Sequence, residues 1–99
     1  MRFSKNSSRG MPETFSLEGN YPNPFNPETM IRFGLPETAQ VKLTVYDVLG
    51  RQVRVLVDGV RKAGTHEVGF RADDLPSGTY LYLLQTPQGN LSGSMLLLK

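Results

Sequence analysis

The chain has 99 residues, with eleven Lys and Arg, nine Asp and Glu, no cysteine and no tryptophan, which is the size of one small domain. The formal charge of +2 comes from the start of the chain, because Arg2, Lys5 and Arg9 all precede the first acid, Glu13. The remaining 13–99 segment is close to neutral. A nucleic-acid-binding module of this size concentrates Lys and Arg on one face, so we expect no nucleic-acid partner.

Composition also argues against disulfide bonds, cysteine zinc sites and insertion into a membrane. Without cysteine the chain forms no disulfide and no cysteine zinc site. No run of about 18 apolar residues is present, so we expect no insertion into a membrane. Residues 1–12 begin with MRFSKNSSRG, which is too polar for a secretory signal. We interpret 1–12 as a flexible linker, a tag remnant or a fragment boundary, and 13–99 as the domain.

Glycine and proline divide the domain into short segments and leave no window for a helix. Between them, Val, Leu, Thr, Tyr and Phe alternate with period two, which is typical of half-buried strands. The predicted strands are Glu13–Leu17, Glu28–Leu35, Gln40–Asp47, Gln52–Val57, Thr65–Arg71, Gly78–Thr86 and Leu91–Lys99. Their spacing predicts an all-β, immunoglobulin-like antiparallel β-sandwich of about seven strands.

Residues of one parity in a strand point to the same face of its sheet. The sets predicted to face the core are Ile31, Phe33 and Leu35; Val41, Leu43 and Val45; Val53, Val55 and Val57; and His66, Val68 and Phe70. In the third strand Lys42, Thr44 and Tyr46 are predicted to point the other way.

The sixth strand, GTYLYLLQT, is apolar on both faces, so parity alone does not orient it. Immunoglobulin-like sandwiches place a tyrosine near the start of this strand, with its hydroxyl bonded to upstream backbone. Tyr80, two residues after Gly78, fits that position. Leu81 and Leu83 then point outward as a partner patch, unless a loop or the N-terminal strand covers them.

The segment Tyr21-Pro22-Asn23-Pro24-Phe25-Asn26-Pro27 carries three prolines in seven residues. Proline fixes φ and favours an extended conformation in the preceding residue, which predicts a stiff connector without ladder bonds. We expect Tyr21 and Phe25 to plug one end of the sandwich. The alternative is a presented recognition loop.

The residues that carry chemistry argue against an enzyme. There is one histidine, no cysteine, no serine elbow motif and no glycine-rich phosphate loop, so we expect neither catalysis nor a cofactor. His66 shares parity with Val68 and Phe70, which favours a hydrogen-bonded residue at the rim of the core over a metal ligand.

Three carboxylates are candidate calcium ligands, because Asp47, Asp73 and Asp74 follow strands and could meet at one end. The alternative is turn chemistry, in which Asp47 accepts backbone N–H groups of the turn that ends at Gly50 and Asp74 acts similarly before Pro76. The bases Arg51, Arg54, Arg61 and Lys62 are interpreted as a solvated strand edge.

Several motifs in order resemble one family. They are YPNPFNPETMIRFGLP, VYDVLGRQV, AGTHEV, LPSGTYLYLL and MLLLK. Together, over Leu17–Lys99, they resemble the C-terminal sorting domain of type IX secretion substrates from Bacteroidetes-like bacteria. The immunoglobulin-like domain of the flagellar hook-capping protein is closely similar.

The resemblance implies a seven-stranded sandwich at the end of a parent protein, which directs export through the periplasm and outer membrane. In this family the domain is commonly removed when the cargo is attached to surface lipopolysaccharide. The resemblance assigns Gly78 and Tyr80 to the family's Gly-x-Tyr element. It also implies that Met95, Leu96, Leu97, Leu98 and Lys99 form the terminal strand that the translocon engages. Ser94 departs from the family's frequent lysine, and Arg71-Ala72 from a common Asp-Gly.

The expected partners are therefore the outer-membrane secretion machinery and an upstream cargo domain. We expect contact through the terminal strand and the apolar face, by edge pairing, and edge-strand self-association is a further option. Two other functions stay open. One is an accessory module that binds polysaccharide, with Tyr46 as the outward ring. The other is a passive assembly or spacer module, like the hook-cap relative.

Overall fold

A computed structural model describes residues 12–99. The predicted linker, residues 1–12, lies outside the described residues except for Pro12. Seven strands follow one another along the chain: β1 (Ser16–Tyr21), β2 (Glu28–Leu35), β3 (Ala39–Asp47), β4 (Gln52–Arg61), β5 (Gly64–Arg71), β6 (Gly78–Thr86) and β7 (Gly89–Leu97). Across 12–99 there is no helix, so none is long and apolar enough to cross a membrane.

The strands form two antiparallel sheets packed as a sandwich. One sheet has the order β1-β2-β5 and the other the order β4-β3-β6-β7. The predicted immunoglobulin-like sandwich of seven strands is therefore confirmed. β4 pairs with β3, whereas the fourth strand of constant-type immunoglobulin domains pairs with the fifth.

Most inward-facing side chains agree with the predictions, which rest on parity in β2, β3 and β5 and on the position of Tyr80 in β6. The residues that face their partners across the core and are almost inaccessible to water include Ile31, Phe33, Leu35, Val41, Leu43, Val45, Phe70, Tyr80, Tyr82 and Leu84. Burying each large apolar side chain stabilises the domain by about 1.5–3 kcal/mol relative to leaving it exposed. The two inner faces of the sandwich thus supply one continuous core.

The exception is β4, whose register with β3 slips at two points. At one of them Leu43 lies opposite Val57 and Thr44 opposite Val55, so Leu56 is an extra residue. Val57 is buried and Val55 is exposed on the opposite face. The prediction that the valines of β4 share one face is therefore wrong for Val55, because a β-bulge inverts parity beyond it.

A bulge also explains why the observed bounds of β1 differ from the predicted ones. The register of β1 with β2 shifts between Leu17 and Gly19, and Gly19 has a φ of 104°. That conformation is accessible to glycine without steric cost and bends the strand. The sequence Glu18-Gly19-Asn20 resembles a turn, so the predicted strand ended at Leu17, whereas the observed strand continues to Tyr21.

Candidate recognition surface at the terminal strand

The C-terminal residues alternate between the core and the outer face of the four-stranded sheet. Met95 and Leu97 are fully buried in the core. Leu96 is half-buried on the other face, and the side chain of Leu98 is 50% exposed. A period of two is what a strand imposes. Two of the five residues of the predicted recognition element thus hold the fold together, while Leu96, Leu98 and Lys99 are accessible to a partner.

The outer edge of this strand is occupied by residues 22–27, which we call the strap. The backbone N–H of Phe25 donates to the carbonyl oxygen of Leu96 at 2.9 Å, and the N–H of Leu98 donates to the carbonyl oxygen of Phe25 at 3.0 Å. The N–H of Leu96 donates to Oδ1 of Asn23 at 3.0 Å. The strap therefore satisfies three backbone groups that an edge strand otherwise leaves open.

A buried ring and hydrogen bonds at each end hold the strap in place. Phe25 is 1% exposed, and its ring centroid lies 6.0 Å from that of Phe70. The buried hydroxyl of Thr29 donates to the carbonyl oxygen of Pro22 at 2.9 Å. At the other end, the N–H of Ala72 donates to the carbonyl oxygen of Pro27 at 2.9 Å. Phe25 packs into the end of the sandwich as expected. The expected absence of ladder bonds is wrong, because Phe25 forms a parallel bridge with Leu97.

Tyr21 does not plug the sandwich as expected, because its side chain is 82% exposed. It lies opposite Met30 in the β1–β2 register, whereas Asn20 lies opposite the buried Ile31. Tyr21 therefore points to the outer face of the three-stranded sheet. The bulge at Gly19 determines which face of the sheet Tyr21 occupies. The conformational preferences of proline do not predict that face.

The last residue is tied to the loop before β6. The N–H of Lys99 donates to Oγ of Ser77 at 3.0 Å, and its ammonium donates to the carbonyl oxygen of Asp73 at 2.7 Å. In the same loop, the hydroxyl of Tyr80 donates to the carbonyl oxygen of Pro76 at 2.7 Å. The predicted bond from Tyr80 to upstream backbone is confirmed, and burial raises the pKa of Tyr80 above 10.0.

The N-terminal half of β7 keeps an open edge. Backbone groups of an antiparallel strand point alternately to one neighbour and to the other. Since the N–H and C=O of Leu96 point to the strap, those of Ser94, Ser92 and Asn90 point the same way. Within 12–99 the backbone groups of Ser92 and Ser94 on this edge have no hydrogen-bond partner. Along β7, strand pairing from outside is thus restricted to Asn90–Ser94.

Leu81 and Leu83 point outward from the middle of the four-stranded sheet, as predicted. Leu81 is 41% exposed and Leu83 is half-buried. β1 belongs to the other sheet, so the N-terminal strand does not cover them. Between them and Val55 lies Thr44, which is fully buried with no hydrogen-bond partner for its hydroxyl within the described chain. Apart from that hydroxyl, the centre of this outer face is formed by the apolar side chains of Leu83 and Val55.

Comparison with known families identifies the chain. Residues 20–97 match the family model described as a secretion system C-terminal sorting domain. The chain belongs to this family, the type IX secretion C-terminal sorting domains. No curated protein matches the chain. Membership makes this a non-catalytic signal domain whose family acts with the secretion machinery in export across the outer membrane.

The carboxylates predicted as calcium candidates each have an arginine partner in the sorting domain. Asp47 pairs with Arg51, Asp73 with Arg71, and Asp74 with Arg54. Across residues 12–99, the structure gathers no group of three or more His, Cys, Asp or Glu that is suited to a metal ion. The three side chains are therefore not brought together at one point.

Asp47 instead organises the β3–β4 turn. Its Oδ1 accepts the N–H groups of Leu49 at 2.9 Å and of Arg51 at 3.0 Å. The Arg51 backbone bond is the largest contribution that lowers the pKa of Asp47 below 3.8. Gly50 closes the turn with a φ of 83°, which disfavours other residues. Asp47 therefore has the role predicted as the alternative to calcium binding, in which its carboxylate accepts backbone N–H groups of the turn.

His66 has the rim position that parity predicts in the sorting domain. Its ring stacks on Phe33 with centroids 5.2 Å apart, and Nε2 lies 2.7 Å from the carbonyl oxygen of Lys62. A carbonyl accepts, so Nε2 is placed to donate a hydrogen bond. The histidine has the packing and the hydrogen bond of a structural residue.

The interpretation of the bases as a solvated edge is wrong for Arg54. Its guanidinium lies 5.4 Å from the centroid of the Phe70 ring and donates to the carbonyl oxygen of Arg71 and to Asp74. Arg54 thereby closes the side of the sandwich between β4 and β5. No sequence signal predicted this, because the bulges of β4 decide which face Arg54 occupies.

Proposed function

We propose that the sorting domain carries a preceding cargo domain through the outer membrane to the cell surface by protein–protein contact. The secretion machinery contacts the outward side chains of Met95–Lys99. The observation that supports this most directly is the alternation of buried and accessible side chains in that segment. Met95 and Leu97 fix it to the core, while Leu96 and Leu98 are offered to a partner.

Contact through side chains is favoured over edge pairing at this end of β7. A partner strand that pairs with Leu96–Leu98 must first displace the strap and its anchor Phe25. Removing a buried phenylalanine from a core costs about 3–5 kcal/mol. A cost of that size leaves the edge open in fewer than about one molecule in a hundred, since every 1.4 kcal/mol is tenfold. The folded domain therefore presents leucine side chains there.

A reporter fusion tests the proposal. The whole chain, 1–99, is fused after a periplasm-directed reporter in a bacterium that has type IX machinery. Deleting 95–99 is a poor test, because loss of Met95 and Leu97 empties part of the core. We instead expect Leu98→Asp with Lys99→Glu to reduce export while the unfolding midpoint stays close to that of the parent.

The matched control is Val60→Asp with Arg61→Glu, which makes the same change of charge at an exposed apolar residue and a neighbouring base of β4, at the opposite edge of the same sheet. This control variant is expected to be exported normally. Equal export of the Leu98/Lys99 variant and the parent would contradict the role of the tail. Cleavage of the exported cargo by protease added to intact cells checks that it reaches the surface.

Polysaccharide binding is a second candidate, for which we propose Tyr21 as the aromatic contact in place of Tyr46. Tyr46 is half-buried, whereas Tyr21 borders a groove with Met30 and the Arg32–Glu67 ion pair. An exposed ring beside paired hydrogen-bonding groups suits a sugar face. Affinity electrophoresis in soluble glycans tests it, since Tyr21→Ala would abolish the retardation and Tyr46→Ala would leave it unchanged.

A further inference from the structure

We infer that the surface read by the secretion machinery is discontinuous in sequence and includes the strap. In this inference Pro24 and Asn26 form one recognition surface with Leu96 and Leu98. The two pairs lie about 70 residues apart along the chain. The inference rests on the proposed function. It adds a second segment to the site, near the start of the domain.

Backbone pairing places these four residues together. Phe25 forms a parallel bridge with Leu97, and both side chains are buried in the core. Pro24 and Asn26 flank Phe25 in the chain as Leu96 and Leu98 flank Leu97, so the two pairs lie side by side. Pro24, Asn26 and Leu98 are exposed, so the strap and the tail present a common accessible surface.

The strap is held firmly enough to contribute to binding. Its backbone is bonded to Leu96 and Leu98, and its two ends are bonded to Thr29 and Ala72. A surface that is already ordered loses little conformational entropy when a partner binds. A disordered tail with the same leucines lacks this advantage.

The chemistry of the surface indicates the kind of partner. Pro24, Leu96 and Leu98 are apolar, and Asn26 is polar but uncharged. The surface is continuous with the outward Leu81 through Thr79, which lies opposite Leu96 in the β6–β7 register. It fits a folded protein of the machinery that offers an apolar patch with a hydrogen-bonding group opposite Asn26, because such patches mark protein–protein contacts.

The test places one arginine at a time on the full-length fusion described above. Asn26→Arg and Leu98→Arg alter the two halves of the surface. Thr65→Arg is the matched control, since Thr65 is an exposed strand residue on the other sheet. We expect export to fall about tenfold for Asn26→Arg and for Leu98→Arg, the change that follows from losing one contact worth about 1.4 kcal/mol. Thr65→Arg is expected to match the parent.

The outcomes separate this inference from the proposed function. Loss of export with Leu98→Arg but not with Asn26→Arg overturns the discontinuous surface and leaves the tail as the signal. Unchanged export with both overturns the two proposals together. Thermal unfolding of each purified domain accompanies the assay. If Asn26→Arg fails to fold, Asn26→Asp replaces it, and normal export of that folded variant counts equally against the inference.

Discussion

The backbone N–H of Leu98 donates a hydrogen bond of 3.0 Å to the carbonyl oxygen of Phe25. One partner lies next to the last residue of the chain and the other lies between the first two strands. Their contact exists only when the sandwich has closed. The tail of this sorting domain therefore acquires its shape from the folded domain, so truncation and core substitutions affect export through folding as well as through recognition.

Phe25→Ala is expected to be one of the most destabilising substitutions in the domain. The ring is 1% exposed and packs against Phe70, so its removal leaves a cavity and releases the strap. We expect the free energy of unfolding, measured by urea titration, to fall by about 3–5 kcal/mol. Val60→Ala, at an exposed site, should change it by less than about 0.5 kcal/mol. A similar small change for Phe25→Ala would show that the strap is not anchored by its ring.

Loosening the strap should also promote association between domains. With the strap in place, pairing along the edge of β7 is confined to the short Asn90–Ser94 stretch. We expect the Phe25→Ala variant to associate more than the parent as its concentration rises, because the whole edge of β7 becomes available. Adding Ser92→Lys to that variant should reverse the association, since an edge lysine blocks pairing. If the variant with both Phe25→Ala and Ser92→Lys still associates, the association uses a different surface.

Much of the fold was predictable because apolar alternation is regular in β2, β3 and β5. Phe33, Leu43 and Phe70 were assigned to the core from parity alone, and they lie there. Tyr80 was oriented by its place in a known sandwich. These predictions succeed because one buried face forces a period of two along an unbroken ladder.

Failures occurred where the ladder is interrupted. The bulges in β1 and β4 expose Tyr21 and Val55 and turn Arg54 toward Phe70. A bulge inserts one extra residue into a strand. The alternation of apolar and polar residues in the sequence does not show where that residue lies. The prolines predict a connector without ladder bonds, whereas the strap pairs with Leu96–Leu98. That contact joins distant segments through backbone groups, which every residue type possesses.

Gly93→Ala should destabilise the domain through a steric clash. Gly93 lies opposite Tyr82 in the β6–β7 register, and a Cβ at this position would lie 2.6 Å from the ring. Tyr82 is buried, so its ring has little room to move. We expect thermal unfolding to show a loss of about 1–3 kcal/mol, the usual cost of overpacking a core.

The matched control for this substitution is Gly69→Ala in β5. A Cβ there would meet only Sδ of Met30, at an ordinary 3.6 Å. Both glycines lie inside strands, so the loss of backbone freedom is similar in the two variants. Equal effects of the two substitutions would contradict the role assigned to the Tyr82 ring.

Asp47 should contribute to the stability of the domain at low pH through the turn it organises. Backbone and side-chain bonds from Arg51 lower the pKa of Asp47 below 3.8. The stabilisation is therefore present above the unfolded-state pKa and is lost as the pH falls through the lower folded-state value. We expect Asp47→Asn to be less stable than the parent at pH 7 and the difference to shrink toward pH 2, as followed by the unfolding midpoint. A constant difference would contradict this linkage.

At alkaline pH the two buried tyrosines should control stability. Burial is the main cause that raises the pKa of Tyr80 and of Tyr82 above 10.0. The unfolded chain therefore releases its tyrosine protons first, so stability is complete below about pH 10 and declines as the pH rises through the folded-state values. Tyr80→Phe should cost about 1 kcal/mol at neutral pH, because it removes the 2.7 Å bond to Pro76. The double variant Tyr80→Phe/Tyr82→Phe should show a flatter alkaline decline than the parent in urea titrations at pH 8 to 11. If the alkaline decline of the double variant equals that of the parent, the decline arises from titratable groups other than these two tyrosines.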